Sequence, residues 1–252
     1  MNREQRRRKG GEPKLTTCIG YLHPGETSAA FTYSLVETML HETFRTGMPP
    51  ALIAERCSSG QIVAGRNRVT SYFLQTPAEW LLFADADMGF AGDALARLLA
   101  VADPQERPIV GALCFATRRQ VPDPETRAER FASCPTVYVW VERDDEVGFA
   151  VVKDYPRDQV VAVSATGAAF VLIHRSVFER IAEKYGETWW DEITHPTGPT
   201  RFSEDMSFYI RAAACGIPVH VDTSVKTSHD KGGVFLTEET WDAQQALVGL
   251  AA

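Results

Sequence analysis

"LLFADADMGF", residues 81–90, carries an apolar run straight into two carboxylates, Asp85 and Asp87, one residue apart. The run reads as a buried strand. Like charges this close to an interior cost several kcal/mol each unless something positive compensates them. Either the pair caps a turn and stays wet, or it holds a cation; two carboxylates in one turn suit a hard divalent ion such as Mg²⁺ or Mn²⁺. Ligands of open α/β sheets bind beyond the carboxyl ends of the strands, so the neighbours of this run decide both fold and site.

Upstream, "LTTCIGYL" (15–22) predicts a strand, and "HPGETSAA" a turn with a helix start at Thr27 or Ser28. "FTYSLVETMLHETF" has helical spacing, "PALIAERC" (50–57) is a second strand, and "QIVAGRNRVTSYFLQ" a second helix. Downstream, "AGDALARLLAVA" is a helix and "RPIVGALCFA" (107–116) a fourth strand. This alternation predicts a parallel sheet with crossover helices. The polar stretch "TRRQVPDPETRAERFASCP" predicts a loop; "TVYVWVERD" and "GFAVVKDYP" predict antiparallel strands joined by "DDEV". "QVVAVSATGAAFVLIH" returns to buried sheet, and "RSVFERIAEKYG" is a helix ended by Gly186. "SEDMSFYIRAAACG" is a helix with Ser203 as N-cap, stopping at Gly216, and "PVHVDTSV" is a last strand. The organisation expected is a basic tail (1–14), one domain (15–234) and a C-terminal helix or tail (235–252). The domain divides into a nucleotide-binding half of about 15–116 and an acceptor half of about 117–234.

The chain of 252 residues is 44% hydrophobic and 23% charged, enough for a sizeable core. No apolar run approaches the ~18 residues of a bilayer span, and the start lacks a signal-peptide pattern, so cytoplasmic residence is expected. Five scattered cysteines without a Cys-x-x-Cys pair argue against a disulfide framework or a structural zinc site. Net charge is −7, yet residues 1–14 hold six basic and two acidic side chains, leaving the body at −11. An acidic body argues against a general grip on nucleic-acid phosphates; the basic segment is either a disordered terminus or a tether to an anionic partner.

Three further features have a plain and a chemical reading each. Glu204 and Asp205 in a first helical turn complement the helix dipole, or act at a site. His229 is a surface or structural residue, with Gly232 and Gly233 after it suggesting a mobile loop, or it is a ligand. "GRNR" (65–68) is a solvated helix face, or the guanidinium of Arg66 or Arg68 meets a base or phosphate with Asn67 hydrogen-bonding nearby.

Together the stretches "AGRNRV", "WLLFADADMGFAGDALARLL", "IVGALCF", "ATGAAFVLIHRSVFERI" and "FSEDMSFYIRAAACGIPVHVDTSVKTSH" resemble family-2-like glycosyltransferases of the GT-A fold, in the compact form common in bacteria and their phages. A weaker likeness exists to Anp1-type mannosyltransferases. The resemblance covers roughly Leu15 to His229, without 117–160. It implies an α/β GT-A domain with a Rossmann-like, mostly parallel sheet and a smaller mixed acceptor-side sheet. It implies transfer of a sugar from a nucleotide-diphosphate-sugar to an acceptor hydroxyl, with Mn²⁺ or Mg²⁺ as cofactor. On the matching positions, Asp87 is similar to the direct metal ligand, and Asp85 to a contact with the ribose or, through water, the metal. His229 resembles the histidine that completes the shell. Asp205 resembles the general base of inverting members, with Glu204 beside it. Arg66 and Asn67 would lie near the nucleotide, Tyr21, His23 and Pro24 beside the base, and Gly167 and Ala168 beneath the donor sugar. Trp189 or Trp190, in "ETWWDE", is a sugar-stacking residue or a core tryptophan.

The rival readings are a haloacid-dehalogenase-type phosphatase, a sugar nucleotidyltransferase and a non-catalytic nucleotide- or sugar-binding protein. The first would place Asp-x-Asp on the first strand, and the second would want a Gly-rich phosphate loop with a lysine after it. A binding protein has no need of a base. The partners expected are a nucleotide-sugar donor and an acceptor that is a protein side chain, a modified DNA base or a glycan.

Overall fold

β3 (below) shows why a layered sheet forms. Leu81 and Phe83 point into one apolar core, while Leu82 and Ala84 point into a second on the opposite face. A strand with period-two side chains and two buried faces needs helices on both sides. The structure is a computed structural model that describes residues 16–119, 131–143 and 146–250. The basic segment 1–14, the centre of the "TRRQVPDPETRAERFASCP" loop and Asp144–Asp145 of the acidic turn lie outside the described residues.

In chain order the first half contains β1 (Thr17–His23), α1 (Ala29–Thr46), β2 (Ala51–Arg56), α2 (Ile62–Leu74), β3 (Trp80–Ala84), β4 (Met88–Phe90), α3 (Ala94–Val101) and β5 (Ile109–Leu113). There follow β6 (Phe115–Arg119), β7 (Phe131–Pro135), β8 (Val137–Arg143), β9 (Glu146–Val151), β10 (Val160–Val163), β11 (Ala165–Thr166) and β12 (Phe170–His174). The chain closes with α4 (Arg175–Tyr185), α5 (Glu204–Ala214), β13 (Val219–Asp230), β14 (Phe235–Leu236) and α6 (Glu238–Leu250). Ser28 caps α1, its Oγ accepting from Phe31 N at 3.0 Å, and Gly186 ends α4 in the left-handed region at φ 75°.

The main sheet has the order β10-β13-β5-β12-β3-β1-β2, with β4 and β14 paired to the far half of β13. β1–β2, β1–β3 and β5–β13 are parallel. β12 runs antiparallel between β3 and β5, so the fourth strand of the sequence is not the neighbour of the third. A strand without period-two polarity carries no directional signal, and β12 fills that gap because both its faces are apolar. α2, α4 and α5 cover one face of the sheet, and α1 and α3 the other.

The expected buried stretch 159–174 divides among β10, β11 and β12, which belong to two sheets. The smaller sheet, β11-β8-β9, is antiparallel throughout rather than mixed. The ends of the expected loop pair as the β6–β7 hairpin. α2 sits close on β1 because Gly20 leaves room: a Cβ there would lie 2.5 Å from Val69 Cγ1. Among the described residues no helix is long and apolar enough to cross a membrane.

Candidate functional site

The turn after β3 is fixed by backbone bonds before any side chain acts. Asp85 N donates to Ala169 O at 2.8 Å, Ser28 N to Ala86 O at 2.8 Å and Asp230 N to Asp87 O at 2.8 Å. Thus β12, the start of α1 and the end of β13 hold the two carboxylates. β13 is longer than its sequence pattern suggests. A register shift between Asp222 and Lys226 bends it from β5 across to β4, where His229 pairs with Met88. His229 is therefore a strand residue, 7% exposed, and not part of a mobile loop.

The positive partners of the opening carboxylates are side chains of the chain itself. Arg66 on α2 is 3% exposed; its Nη2 donates to Asp85 Oδ1 at 3.1 Å and its Nη1 to Ala168 O at 3.3 Å. Its Nε reaches Glu204 Oε1 at 3.4 Å, so one guanidinium joins the end of β3 to the start of α5. The rings of Phe83 and Trp190 lie 5.4 Å from its centre. Burial alone would lower the Arg66 pKa, but the charges of Asp85, Glu204 and Asp205 outweigh it and raise it. Asp87 is met by Lys231 Nζ at 2.8 Å from Oδ2 and by His229 Nε2 at 3.2 Å from Oδ1. Burial pushes the Asp87 carboxyl up, yet His229 and Lys231 together bring it down to about 2.

His229 Nδ1 lies 2.9 Å from Phe115 O, and a carbonyl only accepts, so Nδ1 carries the hydrogen. The contact that lowers Asp87 needs a hydrogen on Nε2 as well, and only without that hydrogen does Nε2 present a lone pair. Nε2 is buried without an aligned hydrogen-bond partner. A lone pair beside a carboxylate, with the second ring nitrogen pinned on a carbonyl, is the donor set of a histidine metal ligand. Among the described residues, however, no three His, Cys, Asp or Glu side chains converge on one point. Asp85 is turned to Arg66, which leaves Asp87 and His229 as a two-ligand set.

Two cavities flank this charged centre. The first, about 620 Å³, is lined by His23, Pro24, Thr27, Ser28, Ser58, Asp85, Asp87 and Lys231. The second, about 420 Å³, is lined by Arg118, Tyr138, Phe149, Phe202, Ser203 and Asp205. Asp205 Oδ1 accepts from Met206 N at 2.8 Å and from the Ser203 hydroxyl. Ser203 is thus the N-cap residue by position, but its side chain serves Asp205 rather than the helix. Glu204 differs from its neighbour: burial first, then the adjacent Asp205 charge, push its carboxyl up, with Arg66 opposing.

The remaining candidates fall in three places. His23 and Pro24 line the first cavity, whereas the Tyr21 ring packs against Phe31, 5.0 Å between centroids. Asn67 faces away from both cavities; its Nδ2 donates to Asp191 Oδ1 at 2.7 Å and its Oδ1 accepts from Trp190 N at 3.2 Å. Trp190 is fully buried, stacked on Phe208 at 4.3 Å, with Nε1 donating to Thr70 Oγ1 at 2.9 Å, so no sugar reaches its ring. Trp189 is buried likewise. Gly167 and Ala168 are buried; a Cβ on Gly167 would meet Thr136 at 3.4 Å, an ordinary contact. Lys231 and the aromatic lining of the second cavity were missed from the sequence. Lys231 carried a signal, lying two residues after His229 in "HDKGG"; Phe149 and Phe202 are too far apart in the chain to have one.

No protein-family model matches the chain, and no curated protein matches it. Solved structures do. A crystal structure of GalNAc-T7 with UDP, GalNAc and Mn²⁺ matches with a TM-score of 0.53 at 12% identity, over 88% of this chain and 45% of that one. The crystal structure of A197 from STIV matches with a TM-score of 0.47 at 15% identity, over 89% of this chain and 91% of that one. This chain therefore shares the α/β fold of GalNAc-T7, spanning under half of that protein's length.

Proposed function

We propose that the chain is a glycosyltransferase that moves a sugar from a nucleotide-diphosphate-sugar to an acceptor hydroxyl. The observation that carries this reading is the pair of cavities on either side of one charged relay, with Asp85 and Asp87 lining the first and Asp205 the second. A site with a cleft for each of two substrates and a carboxylate on the far side suits group transfer better than binding alone. The shared fold with a protein crystallised with UDP, GalNAc and Mn²⁺ supports it.

In this reading the first cavity takes the donor. Its diphosphate lies toward Lys231 and the N-terminus of α1, where backbone N–H groups and the helix dipole favour an anion. Asp87 Oδ1 and His229 Nε2 would hold a Mn²⁺ or Mg²⁺ ion whose remaining ligands come from diphosphate and water, as such ions commonly bind. When bound, the ion supplies positive charge against the departing diphosphate. The chain's own residues do the rest. Lys231 offers a cation, Arg66 orients Asp85, and Asp205 faces the acceptor cleft. The acceptor oxygen attacks the anomeric carbon, the bond to the diphosphate oxygen breaks, and the hydroxyl proton passes to Asp205 as general base. Phe149, Phe202 and Tyr138 give that cleft apolar walls against which an acceptor sits.

The experiment is a thermal-shift panel of nucleotide-diphosphate-sugars with and without Mn²⁺, followed by transfer assays with the tightest donor. Stabilisation by one donor, with release of the nucleoside diphosphate on adding an acceptor, is expected. Stabilisation without turnover on any acceptor class would instead favour a binding protein, and no stabilisation by any donor would remove the reading.

A further inference from the structure

Both oxygens of Asp87 are already engaged by the chain. Oδ2 lies 2.8 Å from Lys231 Nζ, and Oδ1 lies 3.2 Å from His229 Nε2. The two partners are held differently. His229 is buried in β13 and pinned through Nδ1 on Phe115 O, whereas the Lys231 side chain is 38% exposed. Lys231 and Asp87 both line the first cavity.

The backbone under Lys231 is fixed. Its N donates to Val234 O at 2.9 Å, Asp230 N donates to Asp87 O at 2.8 Å, and Gly233 N donates to Asp230 Oδ1 at 2.8 Å. Gly232 and Gly233 close the turn at φ 70° and 92°, a region that other side chains seldom enter. A change of partner by Lys231 therefore needs rotation about its own side-chain bonds only, with the turn left in place. A half-exposed ion pair is weak, so the ammonium leaves Asp87 at small cost. A divalent ion with two protein ligands is also weakly held until a substrate phosphate joins it.

Charge links the two events. With the ammonium on Asp87 the pair is neutral. A divalent ion on Asp87 together with a doubly negative diphosphate leaves one negative charge over, which the displaced ammonium cancels.

We propose that Lys231 is a tethered competitor of the divalent ion. It holds Asp87 until the ion arrives with a diphosphate, then moves from the carboxylate to a phosphate oxygen. The exchange keeps a free ion from occupying the site without donor. This rests on the transferase reading above and adds a regulation to it: ion and diphosphate strengthen each other's binding by the same factor, as linkage requires.

The test titrates the full chain with Mn²⁺ alone and with the preformed Mn²⁺–pyrophosphate complex, following the ion by electron paramagnetic resonance. Inorganic pyrophosphate supplies the diphosphate without base or sugar. The native chain should bind the complex more tightly than the free ion. Lys231→Met should bind the free ion about fivefold more tightly, since a half-exposed ion pair no longer competes. It should bind the complex about tenfold more weakly, through loss of one charged hydrogen bond. Opposite movement of the two affinities is not expected of a merely structural lysine. Lys231→Arg keeps the charge and should behave as the native chain. Asp87→Asn should bind neither probe, which separates this site from other acids on the surface. If Lys231→Met does not fold, Lys231→Gln takes its place with the same expectation. Free-ion affinity that is unchanged or lower in the Lys231 variant, or a complex bound no more weakly, would overturn the competition while leaving the donor reading in place. Failure of the native chain to bind the complex more tightly than Asp87→Asn would remove the donor reading and this inference with it.

Discussion

Replacing Arg66 by Met is the perturbation that reaches furthest, because one guanidinium serves both acid pairs. The change keeps the apolar stem against Phe83 and Trp190 and deletes the charge. It removes an ion pair at 3.1 Å to Asp85, a longer one at 3.4 Å to Glu204 and a bond to Ala168 O at 3.3 Å. Removing one partner of a buried ion pair costs about 3–5 kcal/mol, since the remaining charge stays buried. Asp85, with 31% of its side chain exposed, can partly rehydrate, whereas Glu204, with 14%, cannot do so as readily. The expected loss is therefore near the lower end, about 3 kcal/mol.

The sign of the pH dependence identifies the group responsible. The Glu204 carboxyl is already raised above its ordinary 4.5 by burial, and loss of Arg66 raises it further. A carboxyl with a raised folded-state pKa weakens the fold as pH climbs from 4.5 through the folded value. Arg66→Met should thus lose more stability at pH 8 than at pH 5, and Arg66→Met with Glu204→Gln should recover a kcal/mol or more and flatten the profile. Urea unfolding followed by tryptophan fluorescence measures all three. A cost under about 1 kcal/mol, with no pH slope and no recovery by Glu204→Gln, would refute the reasoning and leave Arg66 a replaceable core residue.

Other outcomes separate the two cavities. Asp205→Asn should leave donor binding near native and lower transfer by about 10²–10⁴-fold, while Asp87→Asn should impair both; calorimetry and turnover on the same preparations distinguish them, and native turnover in Asp205→Asn would leave that acid to the helix dipole. Lys231→Ala removes one of the groups that hold the Asp87 carboxyl at about 2, so its titration by NMR should move up toward 3.8, and nucleoside-diphosphate affinity should fall. An unmoved titration would show that His229 suffices. Trp190→Phe loses the bond to Thr70 and should cost about 1–3 kcal/mol of stability without changing sugar affinity, measured by urea unfolding and donor titration; a selective loss of donor affinity would return Trp190 to the site. Excess chelator should abolish transfer and Mn²⁺ restore it, and full activity in chelator would exclude the Asp87–His229 ion.

By itself the sequence determined what local patterning can encode. Apolar runs, Ser28 ahead of a helical stretch, Gly186 past another and two acids closing β3 are short-range signals, and each lies where its chemistry predicts. Only the tertiary structure decided which charges meet. Arg66 and Glu204, 138 residues apart, are joined because α2 and α5 pack on the same sheet face, and Lys231 reaches Asp87 across 144 residues because β13 bends onto β4. Nothing local distinguishes the buried Asn67 and Trp190 from ligand-facing residues, since a polar or aromatic side chain reads alike whether its partner is substrate or protein. The same holds for α1, whose spacing predicts a helix but not that Ser34 is buried on the face that carries Phe31, Leu35 and Met39. That setting follows from the hydrogen bond between Ser34 and Phe90, which sequence spacing cannot reveal because it is a contact between distant segments and not a property of either one.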